Sequence, residues 1–199
     1  MINKTDVHKL PSGNDLISQC LAGDRSAKEA LAKACIPRVR KTVVLAIGNS
    51  QDVDDLVQTT LVRVLLGLRS FQGRAEFNTW LDKVTVNTVR QYFRRRSFLL
   101  FFQPTELLPA ESNELENPER QLQGQRLLEK LSYHLSFIRP KKRIALILNA
   151  AFGYTAPEIA EITGCTPDTA KKRLQHGRRE MLSRINHDLC LKQIIRETR

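Results

Sequence analysis

The sequence predicts an all-α protein of two small helical domains joined by a flexible acidic linker, with a helix-turn-helix in the C-terminal domain. Leu, Ala, Arg, Lys and Glu recur at helical spacing, whereas aromatic residues make up only 6% of the chain. Residues 1–102 carry 16 basic and 9 acidic side chains, residues 103–127 carry 2 and 5, and residues 128–199 carry 14 and 7. We therefore predict domains over 1–102 and 121–199 and a linker over 103–120.

Three helices are predicted in the first half of the N-terminal domain. Gly and Asp residues separate a helix over about 15–22 from one over about 26–47, in which Pro37 is expected to bend or split the helix. Asp52 is a good N-cap for a third helix, which ends near Leu68. That helix has one apolar stripe, made of Val57, Leu61, Val64, Leu65 and Leu68.

A fourth helix is predicted from about Phe77 to the basic run that ends at Arg96. Trp80, Leu81, Val84, Thr88 and Tyr92 share one of its faces. The apolar run 97–102 that follows is too short to cross a membrane, so it serves either core or domain packing or a contact with a partner protein. The next segment holds three prolines and several acidic residues without periodicity, which is typical of a linker.

Capping residues define two closely spaced helices in the C-terminal domain, after helices predicted over about 121–135 and 141–151. Thr155 and Glu158 form a capping box, and Pro157 falls in the first turn, where its missing N–H costs little. Gly164 supplies a left-handed residue at the end of this helix, and Thr166 caps a second helix that starts almost at once. So tight a connection forces a steep crossing, which is typical of a DNA-reading helix-turn-helix.

The second of these helices has a face of hydrogen-bond donors. Lys can donate to guanine, Gln can pair with adenine, and Arg suits phosphate. A merely solvated basic helix is the alternative. We expect Ala170, Leu174, Met181 and Leu182 to point inward. The predicted DNA-contacting residues are Thr169, Lys171, Lys172, Arg173, Gln175, His176, Arg178 and Arg179.

Net charge and cysteine spacing limit the classes of function. A formal charge of +11 and an isoelectric point near 9.9 favour a polyanionic partner, although solubility alone is the alternative explanation. The four cysteines form no CxxC pair and no Cys/His cluster with zinc-ligand spacing. No cofactor, metal or catalytic residue is predicted. No signal peptide or membrane span is visible, so we expect a cytoplasmic protein.

The residues of both halves resemble a known family. The segment 52–58 (DVDDLVQ), the segment 71–81 (FQGRAEFNTWL), Val86-Asn87 and the Arg94–Arg96 run resemble the second region of extracytoplasmic-function (ECF) sigma factors. The C-terminal helix-turn-helix resembles their fourth region. These matches cover about 15–97 and 125–185, in the order found in the family. The resemblance implies a sigma factor that binds core RNA polymerase and reads the minus-ten and minus-thirty-five promoter elements.

The resemblance implies that the helix opened by Asp52 docks on clamp helices of the polymerase. The matching positions are Asp55, Gln58 and Thr59. The family usually has an acidic residue where this chain has Thr59, so one possible ion pair is absent. The aspartates are alternatively helix caps and dipole partners.

The resemblance also implies a loop that accepts a flipped-out base of the melted minus-ten strand. Asn87 would offer both a donor and an acceptor to that base, and Gly73 would allow close approach of the backbone. Phe77 and Trp80 are possible stacking platforms, but their spacing favours core packing. Gln91 stands where the family often has Asp. The implied minus-ten set is Phe71, Gln72, Gly73, Arg74, Ala75, Glu76, Phe77, Asn87, Arg94, Arg95 and Arg96.

Two other functions remain open at this point. A stand-alone helix-turn-helix regulator would explain the C-terminal half but would leave the segment 52–96 without a role. A metal-dependent nuclease would use Asp52, Asp54 and Asp55, but no His or Lys nearby supplies a general base. Members of the resembled family are often held inactive by an anti-sigma factor, which is a further expected partner.

Overall fold

The computed structural model describes residues 14–48, 50–71, 76–102 and 119–187, and this part of the chain is helical without strands. The all-α prediction is therefore confirmed. The predicted linker lies almost entirely outside the described residues. The helices are α1 (Asn14–Leu21), α2 (Arg25–Ile47), α3 (Asp52–Gly67, followed by a 3₁₀ turn over Leu68–Ser70), α4 (Phe77–Phe102), α5 (Glu119–Ser136), α6 (Pro140–Phe152), α7 (Ala156–Thr163) and α8 (Pro167–His187).

Three details of the N-terminal half differ from the predictions. Pro37 lies inside α2 without splitting it. Asp52 is the first residue of α3 and not its N-cap: the N-cap is Gln51, whose side chain makes no capping bond, while the Asp52 amide donates to Ser50 Oγ at 3.3 Å. The fourth helix continues through the apolar run 97–102, since nothing in that run stops a helix.

The N-terminal core lies between α2, α3 and α4. Val39, Val43, Val64, Leu81 and Val89 are fully buried, and the predicted α3 stripe faces this core. The rings of Phe71, Phe77 and Trp80 pack against one another with centroids 5.5–5.6 Å apart, at the edge of the same core. The prediction of core packing for Phe77 and Trp80 is confirmed.

The C-terminal core fixes α8 across α6 and α7. Ala170 and Leu174 are buried beside Ile159 and Ile162 of α7, as the inward-face prediction required. A Cβ on Gly177 would come within 2.9 Å of Leu146 Cγ, so the glycine allows α8 and α6 to cross closely. The inward prediction is confirmed for Met181, which packs against the core, and is wrong for Leu182, which is 60% exposed because it points about 100° around the helix from Met181.

The two halves pack directly on each other. Helix α2 contacts α5 and α6, and α4 contacts α6 and α7. Arg143 of α6 is buried and donates to the Ile138 and Ser136 carbonyls of its own half and to the Ala46 carbonyl of α2. Burial lowers the pKa of Arg143 to about 10, which still leaves the guanidinium charged at neutral pH.

Candidate nucleic-acid interface

The turn between α7 and α8 is held by the capping groups that the sequence predicts. The Thr155 amide donates to Glu158 Oε2 at 2.7 Å at the start of α7. Gly164 has φ 62°, a left-handed conformation that favours glycine, and its amide donates to the Ala160 carbonyl. The Thr169 amide donates to Thr166 Oγ1 at 3.3 Å at the start of α8. The Gly164 and Thr166 bonds end α7 and begin α8 within a few residues of each other, and the two helices pack on one another.

Helix α8 presents a continuous polar and basic face to solvent. Ala170, Leu174 and Gly177 point inward, so the residues between them point outward. Thr169 and Arg173 are half-buried at the edges of this face. Its exposed members are Lys171, Lys172, Gln175, His176, Arg178 and Arg179. All eight predicted residues therefore lie on one helix and seven of them carry side-chain N–H groups for base edges or phosphates.

Two interactions anchor the C-terminal part of this face. Arg178 Nη2 donates to Asn149 Oδ1 of α6 at 2.6 Å. Asn149 Nδ2 donates in turn to the Tyr154 carbonyl at 2.8 Å, in the turn that precedes α7. Lys142 of α6 pairs with Glu180 of α8 at 2.5 Å. Side-chain bonds, as well as the core, thus hold α8 against α6.

The basic end of α4 forms a second cationic surface. Arg94 and Arg95 are exposed, and Asn87 is exposed two turns earlier on the helix. Arg96 is half-buried and donates to Tyr92 Oη at 2.7 Å, while Tyr92 donates to Asp52 at 2.8 Å. Phe71, Glu76 and Phe77 precede this surface; the predicted loop residues Gln72, Gly73, Arg74 and Ala75 lie outside the described residues.

An open cleft of about 1150 Å³ separates these two cationic surfaces. Arg90, Arg94 and Arg95 of α4 line one wall, whereas Lys141 of α6 and Arg173 of α8 line the other. Five cations around one cleft produce a strongly positive potential, which attracts polyanions. We call this feature the basic cleft.

Helix α3 has an exposed face with the carboxylate of Asp55 near its centre. Asp55, Gln58 and Thr59 are all exposed, as their predicted docking role requires. Val62, 55% exposed, and Leu66, 76% exposed, continue the same face along the helix. Within the described part of the chain Asp55 makes no hydrogen bond or ion pair. This is a mixed polar and apolar surface suited to another protein.

The neighbouring aspartates are engaged within the chain. Asp54 pairs with Arg40 at 2.5 Å, and Asp52 accepts the Tyr92 hydroxyl. Among the described residues no group of three or more His, Cys, Asp or Glu side chains is placed to hold a metal ion. Two of the three aspartates that the nuclease alternative would use are therefore already bonded within the chain.

A buried polar cluster joins the two halves, and sequence reasoning missed it. Asp82 of α4 is fully buried and receives two bonds from Arg38 of α2, at 2.9 and 2.6 Å. The hydroxyl of Tyr154 donates to Asp82 Oδ2 at 2.8 Å, and Arg38 Nη2 donates to Tyr154 Oη at 3.2 Å. The sequence did carry a signal for this cluster, because Asp82 directly follows Leu81 on the predicted buried side of the helix. A buried carboxylate needs hydrogen-bond partners.

The pKa shifts of Asp82 and Tyr154 determine which group donates the hydrogen bond between them. Burial raises the pKa of the Asp82 carboxyl, and the bonds from Arg38 act in the opposite direction. Burial raises the pKa of Tyr154 to about 12, with the Asp82 carboxylate acting in the same direction. The Tyr154 hydroxyl therefore keeps its proton and acts as the donor to Asp82.

Family models match both halves of the chain. The Sigma-70 region 2 model matches residues 31–98, which include α3 and the basic end of α4. The Sigma-70 region 4 model matches residues 138–181, which include the helix-turn-helix. An ECF RNA polymerase sigma factor, EcfG of Rhodopseudomonas palustris, is 30% identical over 154 residues, covering 74% of this chain and 79% of that protein. The chain belongs to the ECF sigma factors. As a sigma factor, it directs RNA polymerase to initiate transcription.

Other relatives and solved structures agree with this membership. SigE of Mycolicibacterium smegmatis is 28% identical, and the match covers 80% of this chain and 63% of that protein. The sigma-E factor of Escherichia coli K12 is 25% identical, and the match covers 85% of this chain and 92% of that protein. RpoE of Bartonella quintana, solved with the anti-sigma factor NepR, has a TM-score of 0.63 at 22% identity, over 83% of this chain and 99% of that one. CnrH, solved with the cytosolic domain of CnrY, has a TM-score of 0.59 at 21% identity, and the match covers 87% of this chain and 97% of that one. These two similarities show the fold.

Family membership sets the broad class of this sigma factor. Such proteins are DNA-binding regulators rather than enzymes. No described helix is both long enough and apolar enough to cross a membrane.

Proposed function

We propose that this sigma factor divides its work between its halves: α3 docks on core polymerase, α4 and the segment before it hold the melted minus-ten strand, and α8 reads the minus-thirty-five duplex. The observation that carries this proposal is the pair of cationic surfaces on separate halves, together with an exposed α3 face that is not basic. Polymerase performs the catalysis, so this chain needs no catalytic residue and no cofactor. We place its activity in the cytoplasm, where polymerase works.

The proposed reading of the duplex rests on the geometry of α8. A B-form major groove accommodates one α-helix, and the outward face of α8 is free of apolar residues between Lys171 and Arg179. Lys172 and Gln175 lie in the middle of that face and are the proposed base readers. Arg178 and Arg179 lie farther along it and are proposed to contact phosphate.

The proposed minus-ten contact rests on α4. Asn87 and the exposed Arg94 and Arg95 lie along one helix and could supply an amide and two cations to a single strand. Phe77 and Trp80 pack against the core, so base stacking is not assigned to them. An anti-sigma factor remains a proposed partner, since RpoE of B. quintana was solved with one.

A stand-alone regulator is the second candidate function, and the exposed face of α3 argues against it. Val62 and Leu66 are large apolar side chains left in water on the same face as Asp55. A regulator that binds only DNA gains nothing from this surface.

Replacing Asp55 with asparagine is expected to weaken association with core polymerase about tenfold, because the variant loses a charge facing the partner. Fluorescence titration of labelled full-length chain with core polymerase measures this affinity. The matched control is Asp54→Asn, which removes a neighbouring charge that already pairs with Arg40. Equal affinities for the Asp55 variant and the unmodified chain would place docking elsewhere. No association of either with polymerase would favour the stand-alone regulator.

A further inference from the structure

The basic cleft carries a concentrated excess of positive charge. Its cationic side chains come from three helices: Arg90, Arg94 and Arg95 of α4, Lys141 of α6 and Arg173 of α8. Among the described residues that line the cleft, none is Asp or Glu. Like charges around one cleft repel one another, so an anionic ligand placed between them relieves that repulsion. The composition of the cleft therefore favours a ligand with several negative charges.

Three of these cations are available to a ligand. Arg94, Arg95 and Lys141 are exposed, and within the described part of the chain their side chains make no hydrogen bond or ion pair. Arg90 differs, because its Nη1 donates to the Thr163 carbonyl of α7 at 2.9 Å. Arg90 and Thr163 both line the cleft, so this bond connects its two walls. The cleft is thus bounded where the walls meet.

Apolar side chains lie among the cations. Phe93 is half-buried and Phe98 is 65% exposed, and both line the cleft together with Pro140 and Ile144. Gln91 is exposed on the same wall and offers both a donor and an acceptor. Aromatic rings and guanidinium groups stack on flat rings such as a nucleobase. The cleft therefore suits a ligand that combines a flat ring with a cluster of negative charges.

The volume of the cleft limits the size of its ligand. Small-molecule sites usually enclose roughly 300–1,000 Å³, and the basic cleft is slightly larger at about 1150 Å³. A nucleic-acid strand spreads its charges at about one per 3.4 Å, whereas a polyphosphate group concentrates them on adjacent phosphates. Cations gathered around a bounded site match the concentrated charge better than the spread one.

We propose that the basic cleft binds a nucleoside polyphosphate. Arg94 and Arg95 hold the phosphates from one wall, Lys141 and the half-buried Arg173 hold them from the other, and the base lies against the apolar side chains of the cleft. Because the ligand contacts both walls, its affinity depends on cations of both halves. This inference does not depend on the division of work proposed above, since the chain binds the nucleotide without polymerase or DNA.

The test is titration calorimetry of the purified full-length chain with ATP and with GTP, at about 0.15 M ionic strength, where exposed charges more than about 8 Å apart are largely screened. Lys141→Gln removes a cation from one wall, and Gln91→Asp adds a carboxylate to the other. The matched controls are the same two changes on α8 outside the cleft, Lys172→Gln and Gln175→Asp. All four positions are exposed, so we expect every variant to fold, and circular dichroism checks this.

We expect ATP and GTP to bind about tenfold more weakly to Lys141→Gln and to Gln91→Asp than to the unmodified chain, because the first loses a charge-assisted contact and the second gains a repulsion. Both control variants should bind like the unmodified chain. Adenosine and tripolyphosphate, which lack the phosphates and the base respectively, should each bind more weakly than ATP.

Three results would overturn the proposal. The first is the absence of binding by either nucleotide. The second is an equal loss of affinity in the cleft and control variants, which would show diffuse attraction of anions, or tripolyphosphate binding as tight as that of ATP, which would show that the base is not recognised. The third is a single-stranded oligonucleotide that loses affinity with Lys141→Gln and is not displaced by ATP, which would show that the cleft holds a nucleic-acid strand.

Discussion

Replacing Asp82 with alanine is expected to lower the free energy of unfolding by about 3–5 kcal/mol, because the substitution leaves Arg38 buried without its carboxylate. The Asp82 side chain is 1% exposed and that of Arg38 10% exposed, so water cannot readily replace the lost bonds. The Tyr154 hydroxyl loses its acceptor in the same step. Urea denaturation followed by circular dichroism measures this change.

A second aspartate–arginine pair of the same chain provides the control. Asp54 and Arg40 pair at 2.5 Å, but their side chains are 69% and 52% exposed. Asp54→Ala is therefore expected to change the free energy of unfolding by only about 0–1 kcal/mol. Equal losses for the two variants would show that burial does not govern the contribution of Asp82.

Substituting Lys172 or Gln175 with alanine is expected to relax the preference of the holoenzyme at one or two base pairs of the minus-thirty-five element, by about 1–3 kcal/mol for each lost contact. Both side chains are exposed at the middle of the outward face of α8, where a helix approaches the groove floor. Competition binding with duplexes that differ by single base pairs measures this preference.

Arg179→Ala on the same helix is the matched comparison. Its side chain is exposed near the end of the outward face and contacts His176, at 3.4 Å. As a phosphate contact, it should weaken binding to all the duplexes to a similar extent and reduce the salt dependence by about one charge. A change of base preference with Arg179→Ala, and none with Lys172→Ala or Gln175→Ala, would reverse the assignment of roles along α8.

Local signals in the sequence predicted much of this architecture. The capping residues Thr155 and Thr166, with the left-handed Gly164 between them, act within a few residues of each other, so their effect can be read directly from the chain. The same holds for the α3 stripe and for Ala170, Leu174 and Met181 on the inward face of α8. The roles of individual residues in DNA and polymerase binding stay predictions.

The features that the sequence did not reveal depend on long-range packing. Arg38, Asp82 and Tyr154 are separated by 44 and 72 residues along the chain, and no periodicity links them. Asp52 is the first residue of α3 instead of its N-cap, and its own amide donates to Ser50 Oγ two residues upstream. Leu182 is apolar, but it points about 100° around the helix from the inward Met181 and is 60% exposed.

The two basic segments of the sequence lie close together in the structure. Residues 103–127 separate two basic segments of equal excess charge, and the structure brings parts of those segments to opposite walls of one cleft. Charge counting indicated two modules but could not indicate that they pack on each other. That arrangement follows from buried contacts such as the bonds of Tyr154.

Run-off transcription with purified core polymerase over a library of genomic fragments tests the central claim most directly. Core polymerase supplemented with this chain is predicted to start at a defined set of promoters that core polymerase alone does not use. Those promoters should share a minus-ten and a minus-thirty-five element at fixed spacing. Binding of the chain to DNA without any initiation above that of core polymerase alone would contradict the account.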